Sequence, residues 1–228
     1  AEDGELKLDQ RLSDFFPDFA SYGKSIELEH LLRHTSGIKD YEKLLPEDLK
    51  TAVRDGDVLA ILAGEEAGDF ESGTQFRYSN SGYAVLAMVV EAVSGKSYPE
   101  YVREHLFIPG GIRGALAFVD EPGLPQPPHR AIGYVHSQDN GYVWADQNIT
   151  TAVLGDGGIY CSVVDYSRWI SAYLGGAIVS LEMVTRAFQP GRTTTGETIP
   201  YGYGWRLEAS GDSWAPYHPG STSGFRNG

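Results

Sequence analysis

The segment Tyr78-Ser79-Asn80 carries side chains that can move a proton and hold a carbonyl or amide group. Apolar side chains follow it at helical spacing and predict a helix over 81–93: Tyr83, Leu86, Val90 and Val93. Tyr78 would then lie at the positive end of this helix, where a phenolate is favoured if a cation is also near. Asn80 could donate to and accept from a substrate amide. The alternative is a core tyrosine in front of an Asn80 helix cap.

The segment His218-Pro219-Gly220-Ser221 is the second candidate for chemistry. Residues 201–208 and 213–218 predict two strands joined by a turn at 209–212, so this segment falls on or beside a sheet. Glycine in a strand often marks the close approach of a ligand or of another backbone. The amide of Ser221 could therefore donate to an oxyanion, and His218 could contact a substrate or tune the ionisation of Tyr78. The alternative is an ordinary turn around His218.

These segments, read together with four others in the same order, resemble the serine beta-lactamase and penicillin-binding-protein superfamily, nearest its class C beta-lactamase-like and esterase-like branch. The other matching segments are Gly4-Glu5-Leu6-Lys7-Leu8-Asp9, Leu31-Leu32-Arg33-His34-Thr35-Ser36-Gly37-Ile38, Gly155-Asp156-Gly157-Gly158-Ile159 and Tyr201-Gly202-Tyr203-Gly204-Trp205. In that branch a Tyr-x-Asn motif takes the middle role of the Ser-x-x-Lys, Ser-Asp-Asn and Lys-Thr-Gly set. A His-x-Gly stands where Lys-Thr-Gly would be.

The resemblance implies an α/β (α+β) fold of the beta-lactamase/transpeptidase type, with an antiparallel sheet flanked by helices and a mainly helical region. It implies a serine hydrolase that forms an acyl-enzyme on a small-molecule ester, amide or lactam carbonyl. Tyr78 would be the base or proton relay, with His218 supporting it or the acyl group. Asn80, Gly220 and Ser221 would bind the substrate. No metal or organic cofactor is implied.

The nucleophile is the part of the pattern without a clear counterpart. The family's Ser-x-x-Lys precedes the segment that Gly4 to Asp9 matches, so its expected position lies before Ala1. Two internal matches, Ser21 to Lys24 and Ser36 to Lys39, contain a glycine that weakens the helix the motif needs, and neither is predicted to be the nucleophile. We therefore expect a single domain over 1–228 that is incomplete at both ends, with a partner segment or chain completing the sheet. The alternative is a non-catalytic ligand-binding member or an inactive fragment.

The substrate stays open among a beta-lactam, a carboxylic ester and a D-amino-acid peptide. His218 in place of a lysine removes a permanent cation that would suit the carboxylate of a beta-lactam. This replacement favours esterase or peptidase activity.

The composition of the chain argues against several classes of binding partner. The 228 residues include 18 basic and 31 acidic side chains, a net charge of −13, which argues against binding to nucleic acids or anionic membranes. The sequence contains no run long and apolar enough to span a membrane. The single cysteine, Cys161, is predicted to be buried and inert. Only the resemblance bears on location, and it suggests a periplasmic or secreted protein.

Periodicity and turn residues predict the remaining elements. Besides 81–93, helices are predicted at 28–33, 48–62, 98–107, 163–174 and 181–188, and a hairpin at 131–136 and 142–146. A proline-rich loop runs from Glu121 to Pro128. His30 and His34 have helical metal-ligand spacing but lack a third ligand, and Asp156 is predicted to anchor a loop. Seven aromatic residues are predicted to lie in the sheet and core, the alternative for some of them being the lining of an acyl pocket: Tyr134, Tyr142, Trp144, Tyr201, Tyr203, Trp205 and Trp214.

Overall fold

The computed structural model describes residues 1–119, 126–211 and 213–227. Most of the predicted proline-rich loop (Glu121 to Pro128) therefore lies outside the described residues, as do Asp212 of the predicted turn and Gly228. Within the described ranges the chain combines helices with antiparallel strand pairs, which confirms the predicted α+β class.

Seven α-helices are described: α1 (Leu12–Phe15), α2 (Leu28–Leu32), α3 (Asp55–Ala63), α4 (Asn80–Ser94), α5 (Tyr98–Val102), α6 (Val163–Leu174) and α7 (Leu181–Ala187). Helix α5 continues into a π-helical turn at Arg103–Phe107, and 3-10 helices lie at Ser21–Ser25 and Tyr41–Lys43. Two of the helices begin at a serine cap. The Ser162 and Ser180 hydroxyls each accept an amide hydrogen bond of 3.1 Å in the first turns of α6 and α7.

The predicted helix at 48–62 is wrong in its first part, because α3 begins at Asp55. The Asp57 carboxylate accepts the Arg54 amide at 2.9 Å, which fixes the start of the helix. Just before it, the amide of the buried Val53 donates to the Ile149 carbonyl at 2.7 Å. This contact with a distant part of the chain outweighs the local helical preference.

Helices α2, α3 and α4 enclose the largest apolar core. Leu31, Val58, Leu62 and Val85 are all fully buried in it. Helix α4 lies close against α2 at Gly82, where an added Cβ would be 3.3 Å from the Leu31 carbonyl oxygen. This packing fixes the position of the N-terminal end of α4.

Ten short strands form five antiparallel pairs within the described residues. Their bounds are β1 (Leu116–Ala117), β2 (Tyr134–Ser137), β3 (Gly141–Trp144), β4 (Ile159–Tyr160), β5 (Gly191–Arg192), β6 (Thr198–Ile199), β7 (Arg206–Ser210), β8 (Ser213–Tyr217), β9 (Gly220–Thr222) and β10 (Phe225–Asn227). The pairs are β1–β4, β2–β3, β5–β6, β7–β8 and β9–β10. The predicted hairpin is β2–β3, and the predicted strand return is β7–β8, in which Arg206 faces Tyr217. The strand predicted over 201–208 is wrong in its first part, because β7 begins at Arg206.

Two predictions about burial are wrong. Cys161 is exposed, because alternation along β4 turns Tyr160 inward and leaves Ile159 and Cys161 outward. Partial desolvation and the Asp165 carboxylate raise the pKa of its thiol. Four of the aromatic residues predicted for the sheet and core lie on strands β2, β3 and β8, as predicted, but are exposed and not part of the core: Tyr134, Tyr142, Trp144 and Trp214. None of the described helices has the length and apolar character that a bilayer crossing requires.

Candidate active site

Tyr78 and His218 lie on the same small crevice, although 139 residues along the chain separate them. Their ring centres are 6.1 Å apart. The crevice has a volume of about 130 Å³, and the residues that line it are Tyr78, Asn80, Tyr83, Gly155, Asp156, Tyr201, Gly204 and His218. Two segments singled out from the sequence therefore meet in space.

Helix α4 places Tyr78 and Asn80 at the crevice. The helix predicted over 81–93 begins one residue earlier, with Ser79 as the N-cap and Asn80 as the first helical residue, and Gly95 ends it with a left-handed φ of 68°. Tyr78 remains 39% exposed, so its phenol is open to a ligand. The side-chain nitrogen of Asn80 donates to Glu42 Oε1 at 3.4 Å.

The ionisation of Tyr78 differs from the sequence expectation. Its burial raises the pKa of Tyr78, and the Asp156 charge acts in the same direction. A cation is present, because the Arg206 guanidinium lies 5.1 Å from the ring centre of Tyr78, and it partly opposes this rise. The net direction is upward, so Tyr78 is a neutral phenol near pH 7 and the expected preference for a phenolate is wrong for the described surroundings.

His218 is held as a neutral imidazole of defined tautomer. Its Nδ1 lies 3.0 Å from the Pro219 carbonyl oxygen, which can only accept, so Nδ1 carries the hydrogen. Nε2 then accepts from the Tyr201 hydroxyl at 3.0 Å. Burial lowers the pKa of His218, and Arg206 adds to the effect. The acceptor lone pair of Nε2 is therefore occupied by the Tyr201 hydroxyl, and a ligand or proton would have to replace that bond.

Gly220 and Ser221 lie on β9, next to His218 in sequence, but are not among the residues that line the crevice. An added Cβ on Gly220 would be 2.2 Å from Asn227 Oδ1, so this glycine makes room for the neighbouring strand β10. Ser221 faces Arg226 across the strand pair, and its hydroxyl accepts from the Arg226 guanidinium. The structure thus shows a strand-pairing role for both residues, and their substrate-binding role stays a prediction.

His34 lies directly behind the crevice, a position that the sequence analysis missed. It is buried, and its ring centre is 4.2 Å from that of Tyr78 and 4.7 Å from that of Tyr201. Its Nδ1 accepts the amide of Ser79 at 3.2 Å. Burial lowers the pKa of His34 to about 3, so it is neutral. His34 supports the backbone that carries Tyr78.

His30, the other histidine of the predicted pair, has a different structural role. His30 Nδ1 accepts the Glu27 amide at 3.2 Å at the start of α2. Across the described ranges, no group of three or more His, Cys, Asp or Glu side chains is arranged to hold a metal ion. A structural role for His30 and His34, which the sequence analysis favoured, agrees with these contacts.

Asp156 anchors a loop, as predicted, and also lines the crevice. The Tyr41 hydroxyl donates to Asp156 Oδ2 at 3.0 Å. Burial raises the pKa of Asp156 to about 7, and the Asp55 and Glu42 charges contribute although the bond from Tyr41 opposes them. The carboxyl is therefore poised to change its charge near neutral pH.

Neither internal match to Ser-x-x-Lys belongs to the crevice. Ser21 is exposed at the start of a 3-10 helix. Ser36 is buried and accepts the Ile38 amide at 3.3 Å, while Lys39 forms an ion pair with Glu65. The described lining of the crevice contains no serine, threonine or cysteine.

Comparison with known proteins gives a consistent result. A family model described as Beta-lactamase matches residues 1–227. Penicillin-binding protein 4* of Bacillus subtilis (strain 168) is 31% identical over 221 residues, which cover 92% of this chain and 48% of that protein. A D-aminopeptidase of Cereibacter sphaeroides (strain ATCC 17029 / ATH 2.4.9) is 29% identical over 225 residues, which cover 96% of this chain and 42% of the enzyme. The chain thus spans about half the length of these curated relatives.

Solved structures match the same extent of the chain. The D-amino acid amidase from Ochrobactrum anthropi SV3, complexed with L-phenylalanine amide, superposes with a TM-score of 0.79 at 22% identity, over 99% of this chain and 65% of the amidase. A penicillin binding protein from Bacillus halodurans gives a TM-score of 0.79 at 25% identity, over 99% of this chain and 67% of that one. The predicted beta-lactamase/transpeptidase-like fold is confirmed. With a family model that extends over nearly every residue, the chain belongs to the beta-lactamase family, within the serine beta-lactamase and penicillin-binding-protein superfamily.

Proposed function

We propose that this chain carries the proton-transfer and substrate-binding side of a serine hydrolase that acts through an acyl-enzyme on an amide or ester carbonyl. The observation that carries the proposal is the placement of Tyr78, Asn80 and His218 on one crevice. These groups supply a phenol, an amide and an imidazole within reach of a small ligand. The D-aminopeptidase and penicillin-binding-protein relatives support hydrolysis of an amide-type bond.

In the proposed reaction Tyr78 takes the proton from the nucleophilic serine as it attacks the carbonyl carbon, and then gives it to the leaving amine or alcohol. Tyr78 is neutral in the described surroundings, so this role requires a further cation close to its hydroxyl. We propose that the serine and this cation come together from a segment outside residues 1–228, in line with the Ser-x-x-Lys pattern. Asn80 orients the substrate amide, and His218, whose Nε2 is held by Tyr201, lies beside the acyl group.

The neutral His218 bears on the choice of substrate. A beta-lactam carries a carboxylate that a fixed cation would bind, and an imidazole held uncharged offers no such charge. The arrangement therefore favours an amide, a peptide or an ester over a beta-lactam. Ser221 is retained as a proposed oxyanion donor through its backbone amide.

A second candidate is a ligand-binding protein without catalysis, which is favoured by a described lining without serine, threonine or cysteine. A fluorophosphonate separates the two, because it forms a covalent adduct with an activated serine. We expect intact mass spectrometry of the full-length protein to show one adduct. Peptide mapping should place this adduct outside residues 1–228. Failure to form an adduct, with a ligand still bound, would favour the binding protein, whereas an adduct on Ser21 or Ser36 would contradict the proposed site.

A further inference from the structure

The carboxylate of Asp156 is the one charged side chain in the described lining of the crevice. It is half-buried and follows the buried segment 152–154. Its Oδ2 accepts from the Tyr41 hydroxyl at 3.0 Å. Among the ion pairs formed by the described residues, none involves Asp156. A partly buried carboxylate without a cationic partner is costly, so the crevice would be stabilised by a cationic group on a ligand.

The groups around Asp156 are acidic or neutral, which strengthens this preference. Glu42 lies beside the crevice through its contact with Asn80, and Asp55 lies behind it, accepting the amides of Leu154 and Gly155 at 2.8 Å. Both charges act on Asp156 and help raise its pKa. A bound cation would counter all of these carboxylates at once.

The part of the lining formed by Tyr78 and His218 differs in character from Asp156. There Tyr78 lies beneath the Arg206 guanidinium, and His218 is neutral. A small ligand whose carbonyl faces Tyr78 and His218 has Asp156 within the same crevice, because all three residues line it. The crevice volume of about 130 Å³ admits a group of the size of a small amino acid.

We propose that Asp156 binds the protonated amino group of the substrate, so that the crevice selects amides, peptides or esters with a free amino group next to the scissile carbonyl. This inference rests on the proposed function for the identity of the crevice as the substrate site. Asp156 makes a charge-assisted hydrogen bond with the ammonium group while Tyr41 fixes the orientation of the carboxylate. A substrate with an acylated or missing amino group would leave Asp156 unpaired.

Equilibrium binding tests the inference without any chemical step. Titration calorimetry at pH 7.5 compares D-alanine amide with D-lactamide, a neutral analogue in which a hydroxyl replaces the ammonium. We expect D-alanine amide to bind at least tenfold more tightly. Asp156→Asn should weaken its binding by about 10- to 100-fold and change D-lactamide binding by less than about twofold, the range for one hydrogen bond to a charged group. Asp156→Glu should restore part of the loss.

The matched control is Asp139→Asn, which removes the same charge from the exposed turn between β2 and β3 and should leave both affinities unchanged. Equal affinities of the wild-type protein for the two ligands, no binding of either, or an equal loss for both in Asp156→Asn would overturn the inference. If thermal unfolding shows that Asp156→Asn does not fold, the wild-type comparison decides alone. Loss of ammonium preference leaves the fluorophosphonate result unaffected, so failure of this inference and failure of the proposed function are distinguishable.

Discussion

At the scale of single residues, the crevice depends on partners that the sequence could not reveal. The side-chain chemistry of Tyr78, Asn80 and His218 indicated proton transfer and amide binding, and the structure brings all three residues to one crevice. The bond from Tyr201 to His218 and the packing of His34 against Tyr78 join residues that are far apart in sequence, so no local pattern contains them. The sequence did contain one indication of the contact between Tyr201 and His218. These residues flank the predicted β7–β8 turn and must therefore lie at the same end of that strand pair.

The buried His34 makes the protein sensitive to acid. Its pKa is lowered to about 3 in the folded state against about 6.5 in the unfolded chain, so between these values the unfolded chain takes up a proton and the folded one does not. The contribution of His34 to stability is complete above about pH 6.5 and falls by about 1.4 kcal/mol per pH unit as the pH drops. Asp156, whose pKa is raised to about 7 in the folded state, contributes in the opposite direction between about pH 4 and pH 7.

His34→Asn tests this link, because asparagine tolerates the left-handed φ of 56° and does not titrate. The variant should lose stability at pH 7.5, since ring contacts are removed, yet the stability difference between wild type and variant should shrink between pH 6 and pH 4 as the His34 contribution of the wild type is lost. Urea unfolding at several pH values gives the two slopes. Parallel curves for variant and wild type would show that His34 does not carry the acid sensitivity.

At the scale of elements, helices were predictable where capping and periodicity agreed, and α4, α6 and α7 lie within one residue of their expected ends. The helix predicted over 48–62 does not form at 48–54, because the Val53 amide donates to the carbonyl of Ile149 in a distant part of the chain. The strand pairs β1–β4 and β5–β6 were not predicted, since strands of two residues carry no measurable alternation.

The end of α4 permits a direct test of backbone conformation. Gly95 and Gly56 both have open space where a Cβ would be added, but only Gly95 has a positive φ, of 68°. Gly95→Ala should therefore lower the free energy of unfolding by about 1 kcal/mol, whereas Gly56→Ala in α3 should raise it by about 0.5 kcal/mol. Chemical denaturation measures both changes. Shifts of the same sign would contradict the assigned ends of these helices.

At the scale of the whole molecule, one buried ion pair connects separate strand pairs. The Asp146 carboxylate follows β3, is fully buried, and contacts the Arg130 guanidinium at 2.5 Å. Its other oxygen accepts the Gly133 amide at 2.7 Å. The same guanidinium lies over the rings of Phe118 and Tyr160, 5.5 Å and 5.6 Å from their centres. The pair therefore holds the β2–β3 hairpin against β1–β4.

Removing one partner should be costly because the other charge stays buried. Asp146→Asn should lower the free energy of unfolding by about 3 kcal/mol, whereas Asp139→Asn in the exposed turn should change it by less than about 0.5 kcal/mol. Thermal and chemical unfolding of both variants measure the difference. A similarly small effect for Asp146→Asn would show that the pair does not connect these strands.

The whole-molecule claim is that residues from two halves of the chain form one acyl-transfer crevice. The most direct test is kcat/KM for hydrolysis of D-alanine p-nitroanilide by the protein as its gene encodes it, with Tyr78→Phe compared with Tyr142→Phe, a tyrosine 77% exposed on β3. Removal of a general acid–base hydroxyl predicts a loss of about 100-fold or more for Tyr78→Phe and an unchanged value for Tyr142→Phe. Equal rates for Tyr78→Phe and the wild type would contradict the account.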